Sequence, residues 1–165
     1  MAAPTRPKSP TVLFVDRALA LERLAAPVFA GGEVAPCGPG CDFEAALSTV
    51  RERSPSVIAM DFAPGGAEAL SAIEAVMAEQ PTPILVLHRR GAPKDDVFRA
   101  LDRGALDMVE WPEPPLPRHW TELAHRLALL SQVRVVQHVR GKNRKRSATA
   151  SQESRPPFPL VAIAS

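Results

Sequence analysis

No apolar run in the chain approaches the ~20 residues that a bilayer-spanning helix requires. The opening residues, Met1-Ala2-Ala3-Pro4-Thr5-Arg6-Pro7, lack the apolar core of a secretory signal. These two absences lead to the expectation of a cytoplasmic protein. Cysteine is scarce: Cys37 and Cys41 are the only two, both within Pro36-Cys37-Gly38-Pro39-Gly40-Cys41. No further ligands stand at a spacing that would complete a zinc site, so the pair reads as two reduced loop thiols. Excess charge is small as well, +2 over 165 residues, but it is unevenly spread. Residues 133–165 hold seven basic side chains against one acid, Glu153, which leaves 13 basic and 17 acidic residues before them. A mildly acidic domain is followed by a basic tail.

What is present is an ordinary globular composition, 45% hydrophobic and 23% charged. Short β-like runs alternate with amphipathic helical stretches. Thr11-Val12-Leu13-Phe14-Val15 reads as a buried parallel strand, and so do Val57–Met60, Pro83–Leu87 and Leu106–Val109, with a weaker one near Glu33–Ala35. Helices are predicted over 17–30, interrupted by Pro27, from Asp42 as N-cap to Arg53, from Gly66 to about Gln80, over 94–103, and from Arg118 to Val133. Gly104 is a natural glycine for the end of the fourth helix. Five strands alternating with five helices predict a doubly wound α/β domain with a five-stranded parallel sheet covered on both faces. Sites in such sheets lie at the carboxyl ends of the strands. Asp16, Asp61, His88 and Trp111 all fall at such ends, so they are expected to cluster.

Several segments together resemble the receiver domain of the chemotaxis protein-glutamate methylesterase family, CheB. They are the strands ending in Asp16 and Asp61, the segment Pro81-Thr82-Pro83-Ile84-Leu85-Val86-Leu87, and Ala100-Leu101-Asp102-Arg103-Gly104-Ala105-Leu106-Asp107-Met108-Val109. The final Leu160-Val161-Ala162-Ile163-Ala164-Ser165 looks like the opening strand of that family's esterase domain. The resemblance implies the flavodoxin-like receiver fold over residues 11–133, after a disordered 1–10. A basic flexible linker follows over 134–157, and 158–165 would be the truncated first strand of an esterase-like domain.

A receiver of this kind carries a phosphorylated aspartate, two acids that hold Mg²⁺, a small hydroxyl residue and a lysine. Metal and lysine neutralise the phosphoryl oxygens while the carboxylate attacks in line. By the resemblance, Asp61 stands at the phospho-acceptor position and Asp16 at the first acid. The second acid position holds Arg17, which cannot ligate a cation. His88 stands at the hydroxyl position, Met108 at the aromatic switch position and Trp111 at the lysine position. The loop after Asp61 is about three residues shorter than the family's usual run. These departures predict a pocket that has lost metal-dependent phosphorylation, with no metal expected, or Mg²⁺ between Asp16 and Asp61 if the pocket still works. Arg17 is expected to take the metal's place and pair with Asp61, and with Asp16 too. A cis bond is expected at Trp111–Pro112.

Function is then expected to run through protein docking in two-component or chemotaxis signalling. The partner would be a sensor kinase, a chemoreceptor or the chain's own esterase domain. The face would be the helix 94–103, the strand 106–109 and the helix 118–133. A working phospho-receiver built on Asp61 is the alternative. A second alternative is nucleic-acid binding through Arg140–Arg146, but that tail has no interleaved aromatics for base stacking and reads as a solvated linker. Ser165 has no base or oxyanion hole at hand, so no catalysis is assigned to the chain. His119, His125 and His138 have no ligand-like spacing and read as solvated.

Overall fold

The computed structural model describes residues 9–30, 32–62 and 66–136. The elements follow in strict alternation: β1 (Thr11–Val15), α1 (Leu21–Phe29), β2 (Ala35–Pro36), α2 (Ala46–Arg53), β3 (Val57–Phe62), α3 (Ala67–Glu79), β4 (Ile84–Arg89), α4 (Lys94–Asp102), β5 (Asp107–Trp111) and α5 (Pro117–Leu130). The strands form one parallel sheet in the order β2-β1-β3-β4-β5. The doubly wound five-stranded fold predicted from the pattern is the fold observed.

Two apolar layers follow from the two-residue period of the strands. Leu13, Val15, Ile58, Met60, Phe62, Ile84 and Val86 face α2, α3 and α4, where Ala46, Val50, Leu70, Ile73, Val76 and Ala100 meet them. Val12, Phe14, Val57, Ala59, Leu85 and Leu87 face the other way, onto Leu21, Ala25 and Phe29 of α1 and Trp120, Leu123 and Leu127 of α5. Strands buried on both faces have no polar alternation, and for that reason they appear in the sequence as continuous apolar runs.

The element ends differ from expectation where side chains intervene. β3 continues through Asp61 and Phe62, and β4 through His88 and Arg89, because the ladder pairs Asp61 with Leu87 and Phe62 with His88. α1 begins at Leu21, four residues later than predicted. Asp16 Oδ2 accepts the backbone N–H groups of Ala20 (3.0 Å) and Leu21 (3.2 Å), and the intervening turn carries Leu19 at φ 51°. Asp42 caps as predicted, but it caps a turn: its Oδ1 accepts the Ala45 N–H at 2.9 Å, and α2 starts one residue later. β5 lies at Asp107–Trp111, shifted toward the carboxyl end, and Gly104 at φ 114° follows α4. The basic linker and the 158–165 segment lie outside the described residues, apart from 134–136.

Candidate functional site

Asp16 follows the last residue of β1, and Asp61 is the penultimate residue of β3, its central neighbour. Both therefore reach the carboxyl edge of the sheet, on the α1/α5 side by strand alternation. Asp16 is 4% exposed, and the Asp61 side chain 15%. One oxygen of each is buried with no hydrogen-bond partner among the described residues: Asp16 Oδ1 and Asp61 Oδ1. The other oxygen of Asp16 is committed to the start of α1. Two buried carboxylates with unpartnered oxygens form an electronegative corner that calls for a cation.

The cation that meets it is Arg89. Its guanidinium stands 4.0 Å from Asp61 Oδ1 and is anchored at 2.7 Å to Glu113 in the loop after β5. Register accounts for its place. Asp61 pairs with Leu87, and two residues further along β4 the side chain returns to the same face. Burial pushes the Asp61 carboxyl up from its ordinary value, and the negative charges of Asp16 and Glu113 add to the rise, while Arg89 pulls it down.

Arg17 does not take the part expected of it. It lies in the turn after β1, with its side chain 73% exposed, and pairs with Glu68 in the first turn of α3. Outside the strand its direction is no longer set by the sheet's alternation, and the nearest anion at the rim wins it. Arg17, Glu68, Phe43, Leu47 and Ala67 line an open cleft of about 700 Å³ between α2 and α3, which does not include Asp16 or Asp61.

Trp111 also leaves the predicted cluster. It is 4% exposed and packs edge-on against Trp120 of α5, with ring centroids 4.7 Å apart, and against His119. An indole at this strand end gains more from burial under α5 than from standing at a polar rim. His88 and Met108 occupy the alternate positions of β4 and β5, toward α3 and α4. His88 Nδ1 lies 3.3 Å from the Arg89 carbonyl, and Met108 packs against the α2–α4 layer. The structure thus brings Asp16 and Asp61 together and adds Arg89 and Glu113, which sequence reading missed. The signal for Arg89 was the two-residue step from Leu87. Glu113, in a proline-rich loop, carried none. The cis peptide of this loop is Glu113–Pro114, not Trp111–Pro112. His119 accepts the Leu116 N–H at 2.9 Å at the head of α5, and His125 pairs with Glu33. No helix of the described residues is long and apolar enough to cross a membrane.

No protein-family model matches the chain. It is 40% identical over 149 residues to the protein-glutamate methylesterase FrzG of Myxococcus xanthus, covering 90% of this chain and 42% of that protein. It is 37% identical to a protein-glutamate methylesterase/protein-glutamine glutaminase of Anaeromyxobacter dehalogenans, covering 87% and 43%. The chain spans less than half the length of these relatives. The response regulator domain of Thermotoga maritima CheB superposes with a TM-score of 0.64 at 21% identity, over 77% of this chain and 99% of that one. A Francisella response regulator receiver domain gives 0.57 at 18%, over 74% and 96%. With this fold, two acids at the carboxyl edge of β1 and β3, and relatives of that one kind, the chain is a response-regulator receiver domain related to the CheB-type protein-glutamate methylesterases.

Proposed function

We propose that the chain is a receiver with a degenerate phosphorylation pocket, acting in chemotaxis-type signalling by protein docking. The observation that carries this reading is the Arg89 guanidinium, 4.0 Å from Asp61 Oδ1 and tied to Glu113. Magnesium takes oxygen ligands in near-octahedral array. Two free carboxylate oxygens beside a fixed positive group, with Arg17 at the second acid position, are a poor match for it. Phosphoryl transfer also needs a mobile cation on the phosphoryl oxygens, and Trp111 at the lysine position supplies none. Arg89 then holds Asp61 in one electrostatic state, and the domain has a single conformation to present.

The docking face in this reading is α4, β5 and α5. Phe98 and Leu129 are each 55% exposed there, Leu106 lies at the edge of the same face, and the Arg126–Asp107 pair (3.2 Å) frames it. Exposed apolar side chains grouped on one surface mark an interaction site. The partner is a sensor kinase, a chemoreceptor or an esterase domain of the same protein, with residues 134–157 as linker and 158–165 opening that domain. The chain itself then carries no esterase chemistry, and the basic tail no nucleic-acid role.

A working phospho-receiver is the second reading, and one observation favours it. Asp16 Oδ1 and Asp61 Oδ1 are buried and unpartnered, and these are the oxygens a divalent cation would take. Titration with Mg²⁺ and then beryllofluoride, followed by amide chemical shifts, separates the two. The docking reading expects no saturable response at millimolar metal. A saturable response that is lost in Asp61→Asn sinks it in favour of the second.

A further inference from the structure

Cys37 and Cys41 are brought to adjacent register positions on β1, although three residues separate them in the chain. The β1–β2 ladder ends at Val12 and Pro36. The Cys37 N–H then donates to the Val12 carbonyl at 2.9 Å, which sets Cys37 opposite Leu13. The Cys41 N–H donates to the Phe14 carbonyl, and the Cys41 carbonyl accepts the Asp16 N–H, both at 3.0 Å, which sets Cys41 opposite Val15. Gly38, Pro39 and Gly40 are looped out of the ladder, and Gly38 has the positive φ, 128°, that the excursion needs.

Two steps along a strand are about 6.6 Å, and disulfide-bonded residues have Cα atoms 4.4–6.8 Å apart. Both side chains also lie on one face: Cys41 belongs to the layer formed with Leu13 and Val15, and Cys37 packs against it. The Arg53 guanidinium closes the loop from α2. It donates to the Pro39 carbonyl at 2.6 Å and hydrogen-bonds the Cys37 thiol.

We propose that Cys37 and Cys41 form a reversible intramolecular disulfide, making this loop a site of thiol–disulfide exchange with low-molecular-weight disulfides. Cys37, the more exposed of the two and the one beside Arg53, attacks a sulfur of the external disulfide and releases one thiol. Cys41 then attacks the Cys37 sulfur of the mixed disulfide and releases the second. The protein dithiol loses two electrons and two protons, and both appear in the two small thiols. Burial pushes both thiols up from their ordinary value, so exchange is slow at neutral pH and speeds up as pH rises. Because the Cys41 carbonyl holds the Asp16 N–H, the bond stiffens the strand edge that carries Asp16.

The test equilibrates the full chain anaerobically in mixtures of reduced and oxidised glutathione, native and in urea. Acid quench, alkylation and peptide mass analysis follow. The expected result is a monomer that loses two hydrogens, mapped to Cys37–Cys41, and about tenfold more bridged in the native state than in urea at the same mixture. Cys41→Ser should stop at a glutathione adduct on Cys37. Equal bridging in urea would show that the fold does not bring the thiols together. Two alkylatable thiols at every mixture, a stable adduct on the unmodified chain, or intermolecular bridges would each overturn the proposal.

Discussion

The two rims of the acidic corner each carry an arginine, and the two behave oppositely. On the β1 side Arg17 stands in a turn, is 73% exposed and pairs outward with Glu68. On the β4 side Arg89 ends a strand, is 35% exposed and faces Asp61. The residue type is the same, so it cannot explain the difference. A side chain inside the ladder has its face assigned by alternation, whereas one just outside it goes to the nearest opposite charge. An arginine next to an aspartate in sequence is therefore weaker evidence for a pair than one placed across the sheet by register.

The contrast can be broken most forcefully at the third strand end of that rim. Trp111 belongs to the core under α5, so Trp111→Ala should lower stability by about 3–5 kcal/mol, read as a shifted urea midpoint. A loss below about 1 kcal/mol would return Trp111 to the pocket. Next comes the cation itself. Arg89→Ala removes a positive charge from the face of Asp61 and should tighten Mg²⁺ binding about tenfold in calorimetric titration, while Arg17→Ala leaves it unchanged. If the two variants exchanged effects, the register argument would fail.

A smaller effect is expected from Asp61→Asn, and it depends on pH. Burial raises the folded-state pKa of Asp61 above its unfolded value, so the native state binds the proton more tightly. The stability this contributes is fully present below the ordinary carboxylate range and is lost as pH rises through the folded pKa. Asp61→Asn should therefore be more stable than the parent near neutral pH, and the gap should close on acidification. A gap that instead widened toward acid would mean that Arg89 outweighs burial. The smallest change is expected at the outward pair: Glu68→Ala should shift stability by no more than about 0.5 kcal/mol, since both partners are well exposed. Thermal melts at low and high salt would reveal a larger coupling.

Much of the fold was legible in the chain. Val12–Val15, Val57–Met60 and Ile84–Leu87 are too continuously apolar for one-sided strands, and the helical stretches between them leave room for parallel crossovers. Asp16 and Asp61 were legible as site residues because strand ends on a parallel sheet share one edge. Trp111 was misplaced because the sequence marks a strand end without saying whether a large ring there stays at the rim or folds under the neighbouring helix. Arg17 was misplaced because a turn residue has no period from which to read its direction. The second role of Asp16, holding the start of α1, was not visible because capping was sought next to the helix and the cap lies four residues upstream of it.

By itself the sequence determined the alternation of elements, the two-sided burial of the sheet and the arrival of two carboxylates at one edge. These rest on local periodicity, which each segment carries whatever its neighbours do. The tertiary structure decided which cation meets Asp61, where the indole of Trp111 goes and that Cys37 and Cys41 stand one register step apart on β1. Those outcomes depend on how strands align across the sheet and on competition between burial and charge, and neither is written in any one segment.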